Sequence, residues 1–387
     1  MKQFFTILIL LAIGHPSVGQ RAPKIDSVHM ILLNPYVQIE ATNAVNELYN
    51  FKFDESMRHL KYLKFEYGWH PLPYFLMGLN YWWRIQPNLN DQKYDDIFNA
   101  YMDTSIVVAD RLYEKNPIEG AFFLAAAYGF KARLHSDREN YSRAAFDGRK
   151  ALKYLKECNE FTEYSPEVLF GTGLINYYTE WIRENYPWLR PLMMFFPDGD
   201  KELGVQQLRE VSRNAFYSRT EAQYYLLNIL FHDKSEYRES LNLAEYLHVT
   251  YPDNSFFHRW YARALFTTGR YPQAEMVCKE IIARIDSSQV GYEEYTGRYA
   301  AYFLGRIYKT RKDEDNSYKY FKRSQEFHEK ANATEKGYYF STLYNLGEIA
   351  VKRNDLDEAE VYYKKVKKLA KRNSDVFKKA KEGLKDM

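Results

Sequence analysis

The chain has 387 residues, a formal net charge of +3 and an apolar fraction of 46%. This composition is typical of a folded globular protein and excludes a disordered chain, and the small net charge gives no general attraction to nucleic acid. Two cysteines are too few for a disulfide framework or a cysteine-based metal centre. The sequence contains no HExxH, GxSxG, Walker or paired CxxC signature, so we predict a protein that is not an enzyme and holds no cofactor or metal.

Residues 1–19 form a segment that differs from the rest of the chain. Lys2 precedes an apolar run from Phe4 to Ile13, and the small residues Ser17 and Gly19 follow that run. This order predicts a secretory signal peptide that is cleaved after Gly19, with the mature chain in a bacterial periplasm. The alternative is an uncleaved N-terminal anchor. Residues 20–36 are then an N-terminal lead.

From residue 37 onward the sequence repeats as pairs of helices. The segments that begin at Glu221 and Ser255 each consist of an apolar helix, a break and a second helix, and equivalent residues recur every 34 positions. Leu304-Gly305 and Leu346-Gly347 place a leucine and a glycine at the same point of two later units. This pattern of large and small residues resembles the tetratricopeptide repeat, in which the small positions lie where the two helices of one pair cross.

The resemblance implies an all-α fold, a right-handed superhelical solenoid of about eight helical pairs over residues 37–373. A single pair cannot bury both of its faces, so neighbouring pairs must stack. Residues 374–387 predict an amphipathic helix that caps the array. We expect the pairs to begin near Val37, Pro71, Gly120, Tyr164, Glu221, Ser255, Arg298 and Phe340.

A concave groove lined by the first helix of each pair is typical of tetratricopeptide superhelices. The resemblance therefore implies a scaffold that binds a peptide or protein segment in this groove. Arg263 and Arg306 occupy the same groove position in adjacent units, so we expect their guanidinium groups to converge on an acidic side chain or a C-terminal carboxylate. The alternative is a pair of solvated arginines. The predicted groove residues are Tyr225, Arg259, Arg263, Tyr302, Arg306, Lys309 and Tyr344.

Aromatic residues occupy the groove positions of the second and third units. The predicted patch consists of Phe75, Trp82, Trp83 and Tyr128. Because sugars stack on aromatic faces, the alternative function is a glycan-binding module of the cell envelope. A second alternative is that the insertion or the adjoining units cover this patch. We expect no nucleic acid as a partner.

Residues 186–197 interrupt the fourth unit with prolines and an apolar run. The prolines prevent a continuous helix, and five apolar residues left in water would promote aggregation. We predict that this insertion folds back and packs Trp188, Met193, Phe195 and Phe196 against the aromatic patch or the flank of the fourth unit. The alternative is a docking surface for a partner or a bilayer. The segment 189–210 also resembles tetratricopeptide-39-type proteins, which are scaffold-like.

Two further predictions concern side chains with possible chemistry. Asp198 or Asp200 should cap the helix that follows the insertion, with calcium binding as the alternative. Cys158 and Cys278 lie in units separated by several helices, whereas the Cα atoms of bridged cysteines lie within about 7 Å. We therefore predict that the two thiols are unbridged.

Overall fold

The structure is a computed structural model that describes residues 30–158, 165–232, 236–335 and 338–387. The predicted signal peptide and most of the lead lie outside these residues, as does Tyr164. The described residues form helices and connecting turns, with no strand among them. The helices are α1 (Pro35–Tyr49), α2 (Phe53–Tyr67), α3 (Leu72–Ile85), α4 (Asp95–Tyr113), α5 (Pro117–Asp137), α6 (Tyr141–Glu157), α7 (Glu167–Asn185), α8 (Arg190–Met193), α9 (Lys201–Asn214), α10 (Arg219–Phe231), α11 (Tyr237–Thr250), α12 (Ser255–Thr267), α13 (Tyr271–Asp286), α14 (Glu294–Thr310), α15 (Glu314–Lys330), α16 (Tyr339–Lys352), α17 (Leu356–Leu369) and α18 (Asp375–Asp386).

These helices form consecutive pairs that stack along a solenoid. The fourth pair is α7 with α9, because the short α8 lies within the insertion, and α18 packs on the last pair. The predicted all-α solenoid of about eight helical pairs is confirmed. Each pair-opening helix begins within four residues of its predicted start. The observed starts are Pro35, Leu72, Pro117, Glu167, Arg219, Ser255, Glu294 and Tyr339.

Small residues at the helix crossings explain why the repeat pattern is readable in the sequence. A Cβ atom added to Gly305 would lie 2.7 Å from the ring of Phe321 on the partner helix. The hydroxyl of Ser317 donates a 3.0 Å hydrogen bond to the Gly305 carbonyl. The backbone of the first helix at Gly305 therefore contacts side chains of the second helix directly. A larger residue at position 305 or 317 would force the two helices apart.

Side chains of the connecting segments begin several helices. Asp200 accepts a 2.9 Å hydrogen bond from the Leu203 amide and caps α9, as predicted, whereas Asp198 pairs with Arg183 at 2.7 Å. Each cap satisfies an amide that has no partner within its helix. The other side-chain caps are Asn34, Asn116, Asn140, Asn254, Asp313, Asp355 and Ser374.

The first helical pair also contacts the fifth and sixth pairs, which an open solenoid would not allow. In most repeat arrays each unit contacts only its neighbours. Here the side chain of Asn254 donates a 2.7 Å hydrogen bond to the carbonyl of Tyr49. The amide of Asp253 donates to the side-chain oxygen of Asn50 at 3.0 Å. The array therefore winds back so that its N-terminal helices lie against the pair-opening helices of its C-terminal half.

Trp83 lies at the centre of this closure. Its ring packs edge-on against Tyr49 and Phe257, with both centroid distances 5.1 Å. Trp82 and Trp83 are fully buried. The prediction that these two rings line an open groove is therefore wrong, because the C-terminal half of the chain covers Trp83 and the neighbouring helices cover Trp82. Within the described residues, no helix is long and apolar enough to cross a membrane.

Candidate functional site

A cleft of about 840 Å³ lies between α3, α5, α6, α7, α10 and the insertion. This volume falls within the range of roughly 300–1,000 Å³ that is usual for ligand-binding pockets. Four of the helices that line the cleft open helical pairs. Apolar and aromatic side chains form most of its wall: Leu72, Phe75, Leu76, Leu79, Phe122, Phe130, Phe170, Leu174, Ile175, Tyr178, Trp181, Ile182, Tyr217, Tyr225 and Ile229.

Small residues on two facing helices keep this space open. The cleft wall contributed by α5 includes Ala125, Gly129 and Ala132, and that contributed by α6 includes Ala144 and Gly148. A Cβ atom added to Gly129 would meet no atom within 4 Å. Since protein interiors are normally packed to the density of organic crystals, a glycine beside empty space marks a place that the fold leaves unfilled. The alanine and glycine content of α5 and α6 is compatible with this cleft and equally with close helix packing, and we did not predict the cleft.

The insertion closes one side of the cleft. Leu189 and Met193 are buried, and Phe196 packs so closely on Gly148 that an added Cβ there would lie 3.1 Å from the phenyl ring. The Arg183 guanidinium holds the insertion in place by donating 3.1 Å hydrogen bonds to the carbonyls of Met193 and Phe196. The apolar run therefore serves as a wall of the cleft.

The opposite side of the insertion faces outward. Trp188, Met194 and Phe195 are largely exposed, although Trp188 contacts the ring of Tyr141 at a centroid distance of 4.9 Å. The prediction of internal packing is thus correct for Met193 and Phe196 and wrong for Trp188 and Phe195. The insertion packs on both α6 and α7, and Trp188 and Phe195 contact only the edge of α6, so most of their surface stays exposed.

Polar side chains also line the cleft, among them Arg133, Glu167, Glu221, Asn228 and His232. Glu221 is buried, and its Oε1 accepts a 2.6 Å hydrogen bond from the indole of Trp83, whereas its Oε2 has no hydrogen-bond partner. Burial raises the pKa of Glu221 to about 7 despite these donors and nearby Arg133. Glu167, which also lies in the first turn of a pair-opening helix, has both oxygens bonded to amides and a hydroxyl of the segment 216–218.

Arg133 brings a positive charge to the cleft. Its Nε donates a 2.9 Å hydrogen bond to Asp137, one turn further along α5. Its guanidinium carbon lies 5.7 Å from the centroid of the Tyr225 ring. The cleft therefore combines an apolar body with the Arg133–Asp137 ion pair and tyrosine hydroxyls, which suits a ligand that is apolar with a few hydrogen-bonding groups.

The structure separates the predicted aromatic patch. Phe75 lines the cleft, as does Tyr225 from the predicted groove set. Tyr128 lies outside the cleft, where its ring stacks on Tyr154 and its hydroxyl accepts a hydrogen bond from Lys150. Together with the burial of Trp82 and Trp83, this arrangement leaves no continuous aromatic wall of the kind that we predicted.

Arg259 and Arg263, two of the predicted groove arginines, lie against aromatic rings. Arg259 donates a 3.2 Å hydrogen bond to the Pro87 carbonyl, so it helps to hold the N-terminal half in place. The guanidinium carbon of Arg263 lies 4.4 Å from the centroid of Phe231, and its Nε is buried without a partner. Arg259 therefore has a structural contact, whereas Arg263 retains one unused donor.

The remaining groove residues are bonded among themselves. Tyr302 stacks on Tyr338 at a centroid distance of 4.2 Å, and the exposed Arg306 donates to the Tyr302 hydroxyl at 3.0 Å. Arg263 also interacts with Tyr338, so both arginines border the same pair of rings. Further along, Lys309 forms a 2.6 Å ion pair with Glu348. The half-buried Tyr344 lies in the same region, and burial followed by the nearby Glu348 raises its pKa.

No cluster of three or more metal-ligating side chains occurs among the residues that the structure describes. The cleft offers hydrogen-bonding groups and apolar surface. This arrangement can bind and orient a ligand.

Comparisons with known proteins locate one family match and several structural similarities. Residues 297–372 match the family model of the tetratricopeptide repeat. A structure of a human IFIT1 dimer with m7Gppp-AAAA is 11% identical, with 83% of this chain and 68% of that chain covered and a TM-score of 0.42. The structure of the hetero-tetramer of the APC/C proteins Cut9 and Hcn1 is 10% identical, with 89% of this chain and 89% of that chain covered and a TM-score of 0.26. A circular tandem repeat protein is 12% identical, with 90% of this chain and 94% of that chain covered and a TM-score of 0.26. The search of curated protein sequences found no significant match.

Proposed function

Because residues 297–372 are tetratricopeptide repeats, we propose that this protein is a non-enzymatic scaffold that binds an apolar segment of a partner polypeptide in the cleft between α3, α5, α7 and α10. The cleft itself is the observation that carries this proposal. Stacked repeats use the helices of one face to form an extended binding surface, and the four helices named here all open helical pairs.

A polypeptide suits the chemistry of this cleft. Apolar side chains would occupy the space beside Gly129, where burial of a leucine-sized group contributes about 1.5–3 kcal/mol. A main-chain carbonyl of the ligand would accept a hydrogen bond from Arg133 or from a tyrosine hydroxyl. The glycan alternative relied on an open wall that included Trp82 and Trp83, and both rings are buried.

A displayed library of random peptides, selected on the purified protein, provides the test. We expect the selected sequences to share apolar residues, and calorimetry should show that Gly129→Leu weakens their binding by at least about tenfold, since the new side chain occupies the cleft. Ala283→Leu is the matched control because residue 283 is exposed on α13. Equal affinities for the two variants, or selected sequences without apolar residues, would contradict the proposal.

The predicted basic groove is a second candidate site, favoured by the position of Arg263 and Arg306 beside the same stacked rings, Tyr302 and Tyr338. Its test uses the same peptides with Arg263→Ala and Arg306→Ala combined. If acidic peptides are selected and lose about tenfold or more in affinity only in this double variant, the groove rather than the cleft is the site. Thermal melts of each variant separate lost binding from lost folding.

The proposed location is outside the cytoplasm. Support comes from residues 1–19, whose charge and apolar pattern matches a secretory signal. Fractionation of native cells followed by N-terminal sequencing should find the chain in the periplasm with Gln20 as its first residue. A cytoplasmic protein that retains Met1 would contradict this proposal.

A further inference from the structure

The insertion presents an exposed apolar surface beside a basic helix face. Met194 is 82% exposed, Trp188 60% and Phe195 55%, which is unusual for large apolar side chains that are adjacent in one short segment. Their neighbours Leu189 and Met193 are buried in the cleft wall. The insertion therefore has a packed inner face and an apolar outer face.

The outer face of the insertion is continuous with α6. The guanidinium carbon of Arg149 lies 4.5 Å from the centroid of the Phe195 ring, and the Trp188 ring contacts Tyr141. Tyr141 and Arg149 are eight residues apart, so the insertion follows α6 for about 12 Å. Phe146 lies on the same helical face as Arg149 and is 59% exposed. The aromatic residues of the two elements thus form one surface.

Positive charge surrounds these aromatic residues. Exposed cations on α6 and α8 include Arg143, Arg149, Lys153 and Arg190. Glu157 forms a 3.9 Å ion pair with Lys153, and Asp147 is buried beside His135. Arg143, Arg149 and Arg190 form no ion pair with any residue that the structure describes, so the surface keeps a positive charge. A second copy of this chain would bring the same positive charges together, which opposes self-association through this face.

We propose that the outer face of the insertion and α6 dock this protein onto an anionic lipid bilayer. Exposed tryptophan and phenylalanine beside arginine and lysine is the combination that binds at the interface of a membrane, since the rings enter the headgroup region and the cations pair with lipid phosphates. The proposal goes beyond peptide binding and does not depend on the occupant of the cleft. Docking in this manner would place the cleft wall formed by Met193 and Phe196 directly beneath the lipid surface.

Co-sedimentation of the full chain with lipid vesicles tests the proposal. The vesicles contain phosphatidylcholine alone or mixed with phosphatidylglycerol. We expect binding to the mixed vesicles and much weaker binding to the neutral ones. A combined Trp188→Ser, Met194→Ser and Phe195→Ser variant should lose at least about tenfold in partition coefficient.

A matched control removes three exposed apolar residues elsewhere. The combined variant Val249→Ser, Met276→Ser and Val361→Ser changes side chains that are 63–72% exposed on other helices, and it should bind vesicles like the wild type. Both variants have the same N-terminus as the wild type, so the N-terminal segment contributes equally to vesicle binding in all three proteins. Circular dichroism melts confirm that each variant folds.

Charge reversal provides the second arm. Each cation near an anionic bilayer contributes about fivefold in affinity, so Arg149→Glu combined with Arg190→Glu should reduce binding to mixed vesicles by about twentyfold or more. Gly129→Leu, which blocks the cleft, should leave vesicle binding unchanged and so separates this proposal from the proposed function.

Three results would overturn the proposal. The first is equal partition of the wild type and the insertion variant, and the second is equal binding to neutral and anionic vesicles. The third is displacement of the protein from mixed vesicles by a single-stranded oligonucleotide that binds the same face more tightly, which would assign the surface to nucleic acid instead.

Discussion

The indole nitrogen of Trp83 donates a 2.6 Å hydrogen bond to Oε1 of Glu221 and so joins the second helical pair to the fifth across 138 residues of sequence. The hydroxyl of Tyr49 donates to the same oxygen at 3.3 Å. Three helical pairs therefore meet at one buried carboxyl group. Because the surroundings are apolar, the protonation state of this group is linked to the stability of the fold.

Glu221→Gln should change how stability depends on pH. The folded-state pKa of Glu221 is raised to about 7 from an ordinary value of 4.5, so between these values the unfolded chain has lost a proton that the folded chain retains. The contribution of this group to the free energy of unfolding is therefore fully present below pH 4.5 and is lost as the pH rises through 7. From pH 5 to pH 8 the wild type should lose about 3 kcal/mol relative to Glu221→Gln, measured by urea unfolding.

Glutamine is a close control because its side-chain oxygen still accepts from Trp83 and Tyr49. The histidines and other carboxyl groups titrate in both proteins, so their effects cancel in the difference. If the free energy of unfolding depended on pH in the same way for both proteins over this range, the pKa of Glu221 would not be raised by folding, and the prediction would be wrong.

Asn254 links helix capping to closure of the array. Its Oδ1 accepts from the amides of Phe256 and Phe257, while its Nδ2 donates to the Tyr49 carbonyl. Asn254→Ser keeps a capping oxygen but leaves that buried carbonyl unpaired, which should cost about 1–3 kcal/mol in the free energy of unfolding. Asn140→Ser, at a cap that holds only its own helix, should change stability by less than about 0.5 kcal/mol. Similar losses at both sites would mean that the Tyr49 contact does not stabilise the fold.

Ala274→Leu should destabilise the protein more than Ala283→Leu. Residue 274 is fully buried near the start of α13, whereas residue 283 on the same helix is exposed. Three extra heavy atoms at the buried site would overpack the core by about 1–3 kcal/mol. Thermal melts of the two variants measure the difference, and equal midpoints would contradict the assignment of residue 274 to the crossing of the pair.

The two thiols should be free but unreactive in the folded protein. Cys158 and Cys278 are buried and unbridged, and burial raises the pKa of Cys158 to about 12 and raises that of Cys278 as well. A thiol reagent at pH 8 should therefore modify neither residue until denaturant is added, and should then modify both without prior reduction. Rapid labelling of the native protein would show that one of these sites opens to solvent.

The helical pairs could be predicted because their signal is local. Gly305 and Ser317 must be small for two adjacent helices to touch, and this requirement recurs at a fixed spacing. The repeat spacing also places Cys158 and Cys278 in units that are several helices apart, which is why we predicted that they are unbridged. Residues that act within one pair, such as Asp200 at the start of α9, could be assigned for the same reason.

The closure and the cleft could not be predicted in this way. The contact of Tyr49 with Asn254 depends on the total curvature of several successive helical pairs. No local sequence pattern specifies that total curvature. Gly129 and Gly148 are equally compatible with close helix packing and with an open cleft, because a small residue permits both. The outward side of Trp188 and Phe195 depends on where α6 lies, which the sequence of the insertion does not encode.

Closure of the array has a consequence for how the chain folds. An open repeat protein can lose its terminal units one at a time, because each is held by a single neighbour. Here the N-terminal pairs are completed by Glu221 and Asn254, so they cannot reach their final packing on a growing polypeptide until the sixth pair has been synthesised. Contacts between such distant residues slow folding. Truncation at residue 200 should consequently leave Trp83 without its buried partners, and the N-terminal half should be prone to aggregation where the complete chain is not.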